Sequence, residues 1–246
     1  RPHRADRRER ADHRHRAARC AVRKDHLQHA GEHGARRQGG ADLRRAGHLR
    51  CGAKGLGDRP ILFSLASGKY WLSKRTDNAV AGMGFDSIAK FGDVKVYKNK
   101  YALPFGFTYD KTIGEDEFKK LSPTQKDFAA LRACVVSNAD KQIFSSLKAF
   151  NVADTAAPVT FDNYLADVNA LKKDSLTITK VSENSVTGNV NAGEEKILFF
   201  SIAFDEGWKA SLNGSEAKLY RLNCGLTGLL VQKGSNAVEL SFTPRH

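Results

Sequence analysis

From Ile61 onward apolar positions recur with the periods that secondary structure requires, and before Ile61 they do not. ILFSLASGKYWLSK opens on a short apolar run and passes through Gly68 into an aromatic segment with strand character. In DVKVYKNKYALPFGFTYD, Val94, Val96 and Lys98 alternate against Lys95, Tyr97 and Asn99; Pro104 closes that strand, and FGFTYD alternates again. Two helical patterns follow. The first takes Ser122 as N-cap and Pro123 as N1, with Phe128, Leu131 and Val135 at helical spacing. The second, TFDNYLADVNALKK, places Phe161, Tyr164, Leu165 and Val168 on one face and Lys172 and Lys173 in the last turn, where they suit the helix dipole.

The remainder reads as strand. SLTITKV, SVTGNV, KILFFSIAF, WKASLN, AKLYRL, GLLVQ and AVELSF are separated by Glu-Asn, Asn-Ala-Gly, Asp-Glu-Gly, Asn-Gly and Lys-Gly-Ser-Asn turns. Alternation in SLTITKV points Leu176, Ile178 and Val181 at the core. The pattern predicts an α+β chain: a mixed strand and helix region over 61–173, then an antiparallel β-sandwich of about seven strands over 174–246.

Composition changes the picture mainly for residues 1–60. The chain has 246 residues and a formal charge of +13. Residues 1–54 hold 14 Arg, 2 Lys and 6 acids, 16 − 6 = +10, which leaves +3 for everything after them. Seven of the eight histidines precede position 49, and residues 1–60 contain no Phe, Tyr, Trp, Ile or Met. Such a segment cannot bury enough apolar surface to offset its ordering entropy, so it is read as disordered. A basic arm for nucleic acid is one reading of it. A zinc site from His13, His15, Cys20, His26 and His29 is a weaker one, since no pair has finger or ribbon spacing. The favoured reading is that the Arg, Ala, Gly and Pro mixture, drawn from GC-rich codons with an abrupt edge, is not native coding sequence.

Cys20, Cys51, Cys134 and Cys224 form no CxxC pair, and Cys134 is expected to be a buried small hydrophobe. No run of about 18 apolar residues is present to span a bilayer. Met83 is the sole methionine and no signal peptide opens the chain, so a fragment of a longer protein is expected.

Three motifs in order carry a family resemblance. The stretch FDEGWKASLNGSEAKLYRLNCGLTGLLVQKGSNAVELSFTP resembles the C-terminal extracytoplasmic domain of the YfhO family of bacterial membrane proteins. Phe204, Asp205, Gly207, Trp208, Asn213, Gly214, Asn223, Gly228, Gly234, Phe242 and Pro244 occupy the family's turn and strand positions. SGKYWLSK resembles its G-V-K-Y strand, with Ser67 where an apolar residue is usual. VYKNKYALPFGF resembles its strand-turn through Tyr97, Asn99, Leu103, Pro104 and Gly106. The resemblance runs from Ile61 to Pro244. It implies a polytopic parent, similar to glycosyltransferases that take sugar from a polyprenyl-phosphate carrier to decorate cell-surface polymers such as teichoic acids. It further implies that the catalytic carboxylates lie in an early loop outside this chain, and that a last membrane helix follows its end.

Candidate chemistry inside the chain is sparse. Asp205 is expected to cap its turn, and as a lone carboxylate it lacks the second one that glycoside chemistry needs. Trp208 is expected to be largely buried over the sheet, with a sugar-stacking platform as the other reading. Tyr97 and Asn99 are expected to form a strand end and an Asx-type turn, with ligand binding as their second reading. The glycines of NCGLTG serve close backbone approach, and no phosphate-loop Lys follows them. No catalytic set, metal site or cofactor is expected in the fragment. Its expected partners are a glycan or polymer acceptor and, through absent flanking helices, the membrane, at the extracytoplasmic face. The rival reading is a free-standing soluble β-rich module whose basic arm binds nucleic acid.

Overall fold

The computed structural model describes residues 59–74, 84–155 and 160–244. Residues 1–58 of the basic segment lie outside the described residues; Arg59 and Pro60, expected to be disordered with them, are ordered, Arg59 pairing with Asp127 and Pro60 opening a helix.

Helix α1 (Pro60–Leu65) leads into a three-stranded antiparallel sheet of β1 (Tyr70–Ser73), β2 (Phe85–Phe91) and β3 (Val94–Asn99), in the order β1-β3-β2. The alternation in β3 is real, and its inner face is the one carrying Tyr97 and Asn99, both buried, with Val94 and Val96 on the other. Strand β4 (Gly106–Tyr109) does not alternate in exposure as its sequence suggests, because all four of its residues are buried. It is covered on both faces. Next come β5 (Lys111–Gly114), α2 (Glu115–Lys120), α3 (Pro123–Arg132), β6 (Cys134–Val136), β7 (Lys148–Ala149) and α4 (Phe161–Lys173).

Ser122 caps α3 in a reciprocal box with Gln125, and Pro123 fills the first turn, where its missing N–H costs nothing. Val135, expected on the apolar stripe of α3, lies instead in β6, which pairs in parallel with β5. The helix stops at Arg132, and the buried Cys-Val-Val run takes the extended form that β-branched residues favour. On α4, Tyr164, Val168 and Leu171 are buried and Thr160 caps the first turn, accepting from Asn163 N–H at 3.2 Å.

The strands expected after 174 are present as β8 (Thr177–Val181), β9 (Ser185–Ala192), β10 (Lys196–Ala203), β11 (Trp208–Leu212), β12 (Ser215–Ala217), β13 (Tyr220–Leu222), β14 (Leu226–Val231) and β15 (Gly234–Phe242). AKLYRL contributes to two of them, because the chain crosses from one sheet to the other between Ala217 and Tyr220. One sheet has the order β12-β11-β15-β9-β8 and the other β13-β14-β10-β4. β4 reaches the second sheet from before position 174, pairing Phe107 with Phe199 and Tyr109 with Ile197.

The four-stranded sheet is apolar on both faces, which explains the unbroken ILFF run of β10. Leu198 and Phe200 meet Val190, Val238 and Leu240 of the five-stranded sheet. Ile197 and Phe199 point the other way, into a cluster with Phe107, Phe128, Leu131 and Val168. Ile178 and Val181 do not reach either core: they are 42% and 65% exposed. β8 is the edge strand and its register slips between Ile178 and Lys180; of the three residues expected inside, only Leu176 is covered.

Candidate functional site

The Asp205–Trp208 corner joins β10 to β11, and its geometry follows from four adjacent residues. The Asp205 carboxylate accepts from Gly207 N–H at 2.7 Å, and the Asp205 carbonyl accepts from Trp208 N–H at 3.1 Å. The expected cap is therefore present. Gly207 is required by crowding: a Cβ there would sit 2.5 Å from the Thr243 carbonyl oxygen and 2.8 Å from the Phe242 ring. The Gly207 carbonyl in turn accepts from Thr243 N–H at 3.0 Å, which ties the corner to the end of β15.

Trp208 stands opposite Phe242 in the strand register, with ring centroids 4.9 Å apart. It packs on the rim of the inter-sheet core and is partly buried, neither sealed inside nor exposed. The corner lies at the end of the apolar layer, so one part of the indole meets protein and the rest faces solvent. Trp208→Ala should accordingly cost about 2 kcal/mol, between the range for emptying a sealed aromatic site and that for a surface position. Urea unfolding measures this directly. A cost above about 4 kcal/mol would mean a fully buried ring, and one below about 0.5 kcal/mol a ring that packs on nothing.

Tyr97 and Asn99 lie in a different sheet from Trp208. Tyr97 is buried beside Phe85 and tilts against Trp71 at 6.1 Å between centroids. The Asn99 side-chain oxygen accepts from Tyr101 N–H at 2.9 Å, which is the Asx-type turn expected there. Its amide donates to Ser64 Oγ and to the Gly68 carbonyl, each at 3.0 Å. Ser64 Oγ is also 2.9 Å from the Tyr164 hydroxyl, so one buried chain of hydrogen bonds links β3, α1 and α4.

Burial pushes the Tyr164 phenol up to about 12, with the Ser64 hydrogen bond opposing it. The fold keeps the neutral phenol. Its contribution is whole below about pH 10, where the unfolded phenol is also neutral, and is lost progressively as pH rises toward the folded value. Stability should therefore fall by about 2–3 kcal/mol of Tyr164 origin between about pH 9 and pH 12, and Tyr164→Phe should flatten that decline. Denaturant titrations across this range measure it; an unchanged slope in the variant would remove Tyr164 as its source.

Three polar residues have roles that sequence pattern did not reveal. Asn223 accepts from Val135 N–H through its side chain at 2.7 Å and donates its own N–H to the Val135 carbonyl at 3.0 Å, docking the β13–β14 turn on β6. Asn213 reaches across to β15, accepting from Ala237 N–H at 2.8 Å. Ser67 sets its hydroxyl oxygen 2.9 Å from the Pro104 carbonyl and 2.8 Å from Ser201 Oγ. The polar residue thus has a polar partner. Cys134 is fully buried, as expected, and burial holds its thiol protonated; Cys224 is exposed. Among the described residues no group of three or more His, Cys, Asp and Glu is arranged to hold a metal ion.

Comparison with known proteins places this sequence in a family. The family described as "Bacterial membrane protein YfhO" matches residues 51–163 and 157–246. The protein named "Uncharacterized protein YfhO" from Bacillus subtilis (strain 168) is 30% identical over 162 residues, covering 64% of this chain and 18% of the relative. No solved structure matches. With the family match extending over all the described residues, the chain belongs to the YfhO family of bacterial membrane proteins.

Proposed function

We propose that this chain forms an extracytoplasmic part of a polytopic YfhO-like protein that transfers sugar from a polyprenyl-phosphate carrier to a cell-surface polymer such as teichoic acid. Its own role is non-catalytic: it positions the acceptor and braces the outer face of the membrane core. The observation that carries this reading is the scale of the match, in which a region of compact β-rich fold aligns with 18% of a relative belonging to a membrane-protein family. Among the described residues no helix is long and apolar enough to cross a membrane.

The candidate side chains support positioning more than chemistry. Asn99 and Asp205 direct their polar atoms at neighbouring backbone and hydroxyl groups. The partly exposed Trp208 ring, beside exposed Asp205 and Glu206, would offer a sugar an aromatic surface with polar neighbours, the combination that carbohydrate stacking uses.

The test is titration of purified chain with a teichoic-acid-type polymer, followed by calorimetry, alongside an assay for sugar transfer from a polyprenyl-phosphate donor. Binding should be measurable, lost in Trp208→Ala and kept in Trp71→Phe, and no transfer should occur. Undiminished binding by Trp208→Ala would remove the stacking role. Transfer by the chain alone would overturn the non-catalytic reading.

A further inference from the structure

The three-stranded sheet has one face with a core and one without. Trp71, Phe85 and Tyr97 pack inward with Phe63. The register puts Leu72 beside Val96, Val96 beside Ala89, and Val94 beside Phe91, so these residues share the opposite face. That face is open: Phe91 is 71% exposed, Leu72 63% and Tyr70 55%, with Ile88 in the adjoining bulge at 51%. An apolar patch of this kind, with an aromatic residue at each end, is rare on an isolated soluble surface.

Charge identifies what suits it. The described residues from 69 to 100 carry six Lys and two Asp, 6 − 2 = +4. The described residues from 101 to 244, excluding 156–159, hold 15 Lys and Arg against 17 Asp and Glu, which gives −2. The positive charge of the folded body is therefore gathered on this one sheet. Lys98 stands on the apolar face opposite Tyr70, and Lys69, Lys74 and Lys100 mark the strand ends. Asp86 and Asp93 are taken up by Lys100 and Lys74, at 2.8 and 3.1 Å. Lys90 and Lys95 stand opposite each other on the Trp71 and Tyr97 face, so Lys98 is the lysine set among the open face's apolar groups, with further lysines at the strand ends. Apolar and aromatic groups around a long-stemmed lysine match the headgroup layer of an anionic bilayer, where rings and methyls sit at the acyl boundary and ammonium groups reach the phosphates.

We infer that the outer face of the β1-β3-β2 sheet rests on the surface of an anionic bilayer, with Leu72, Phe91 and Tyr70 in the interface and Lys98 on lipid phosphate. The inference stands on family membership and on this sheet alone, so it and the acceptor-binding role fail separately.

The test is co-sedimentation of the full chain with vesicles of mixed phosphatidylglycerol and phosphatidylcholine, and with pure phosphatidylcholine. The basic residues 1–54 are common to every variant, so only differences between variants report on the sheet. Leu72→Asp/Phe91→Asp should bind the anionic vesicles at least about tenfold more weakly than the parent chain, the loss expected for withdrawing two large apolar groups from the interface. Ile178→Asp/Val181→Asp, also exposed but on β8, should bind like the parent. Because the altered positions are exposed, melting temperatures should stay close to the parent's; if the double variant is unfolded, Lys69→Glu/Lys98→Glu replaces it, with the same loss expected. Parent-like binding by the folded sheet variants, or an equal loss in the β8 variant, overturns the inference. So does a dimer seen by ultracentrifugation that Leu72→Asp/Phe91→Asp abolishes without any vesicle binding, since a second copy would then own the face.

Discussion

Phe199→Ala should destabilise the protein by about 3–5 kcal/mol, the range for emptying a sealed aromatic site. Phe199 has no exposed surface, and its ring lies 5.0 Å from Phe107 and 5.7 Å from Tyr109, centroid to centroid. It belongs to β10, an interior strand of the four-stranded sheet, where relaxation into the vacated space would have to move β4 and β14 together. The cluster it anchors includes Phe128 of α3 and Val168 of α4, so the loss would loosen the helical layer as well as the sheet. Phe199→Leu, which keeps most of the volume, should cost no more than about 1.5 kcal/mol. Equilibrium urea unfolding measures both. Equal small losses would mean that the helices do not pack on β10 as described.

Gly228→Val should be comparably severe, about 3 kcal/mol or more, for the opposite reason. A Cβ at Gly228 would lie 2.5 Å from Leu222 Cδ1 and 2.8 Å from the Leu198 carbonyl oxygen. The leucine end can rotate away, but the carbonyl is fixed in the β10–β14 ladder, where Gly228 pairs with Phe199. Backbone of β10 or β14 must therefore shift. Gly214→Ala is the contrast: no atom lies within 4 Å of its Cβ position, and the only cost is backbone strain at φ 82°. Thermal melts of the two variants separate crowding from strain; equal effects would mean that Gly228 is there for flexibility, not for room.

Local signals were legible in the sequence. Asn213 and Gly214 take φ of 54° and 82°, as a two-residue hairpin turn needs, and Ser122 with Pro123 opens a helix. The Asp205 turn and the Asn99 turn were legible for the same reason: each bond closes within two residues. What failed depended on distant chain. A period of two says which residues share a face but not whether anything covers it, so Ile178 and Val181 look like core from their spacing and are exposed on an edge strand. The same blindness hid the double cover of β4, whose partner β10 lies about 90 residues on. Helical spacing carried Val135 one turn too far, since the pattern holds no mark of where β5 will pair. At the candidate site, how far Trp208 is covered depends on where the apolar layer ends, and Asn223 meets a partner 88 positions away.

The measurement that most directly tests the extracytoplasmic reading is the side of the membrane on which this region lies in living cells. Ser215, exposed in β12 next to the Asn213–Gly214 turn, is a suitable reporter position for Ser215→Cys in the membrane-embedded protein. With unaltered protein as background, a membrane-impermeant maleimide should label the introduced cysteine on intact cells as fully as after permeabilisation. Labelling only after permeabilisation would place the region in the cytoplasm and contradict the reading outright.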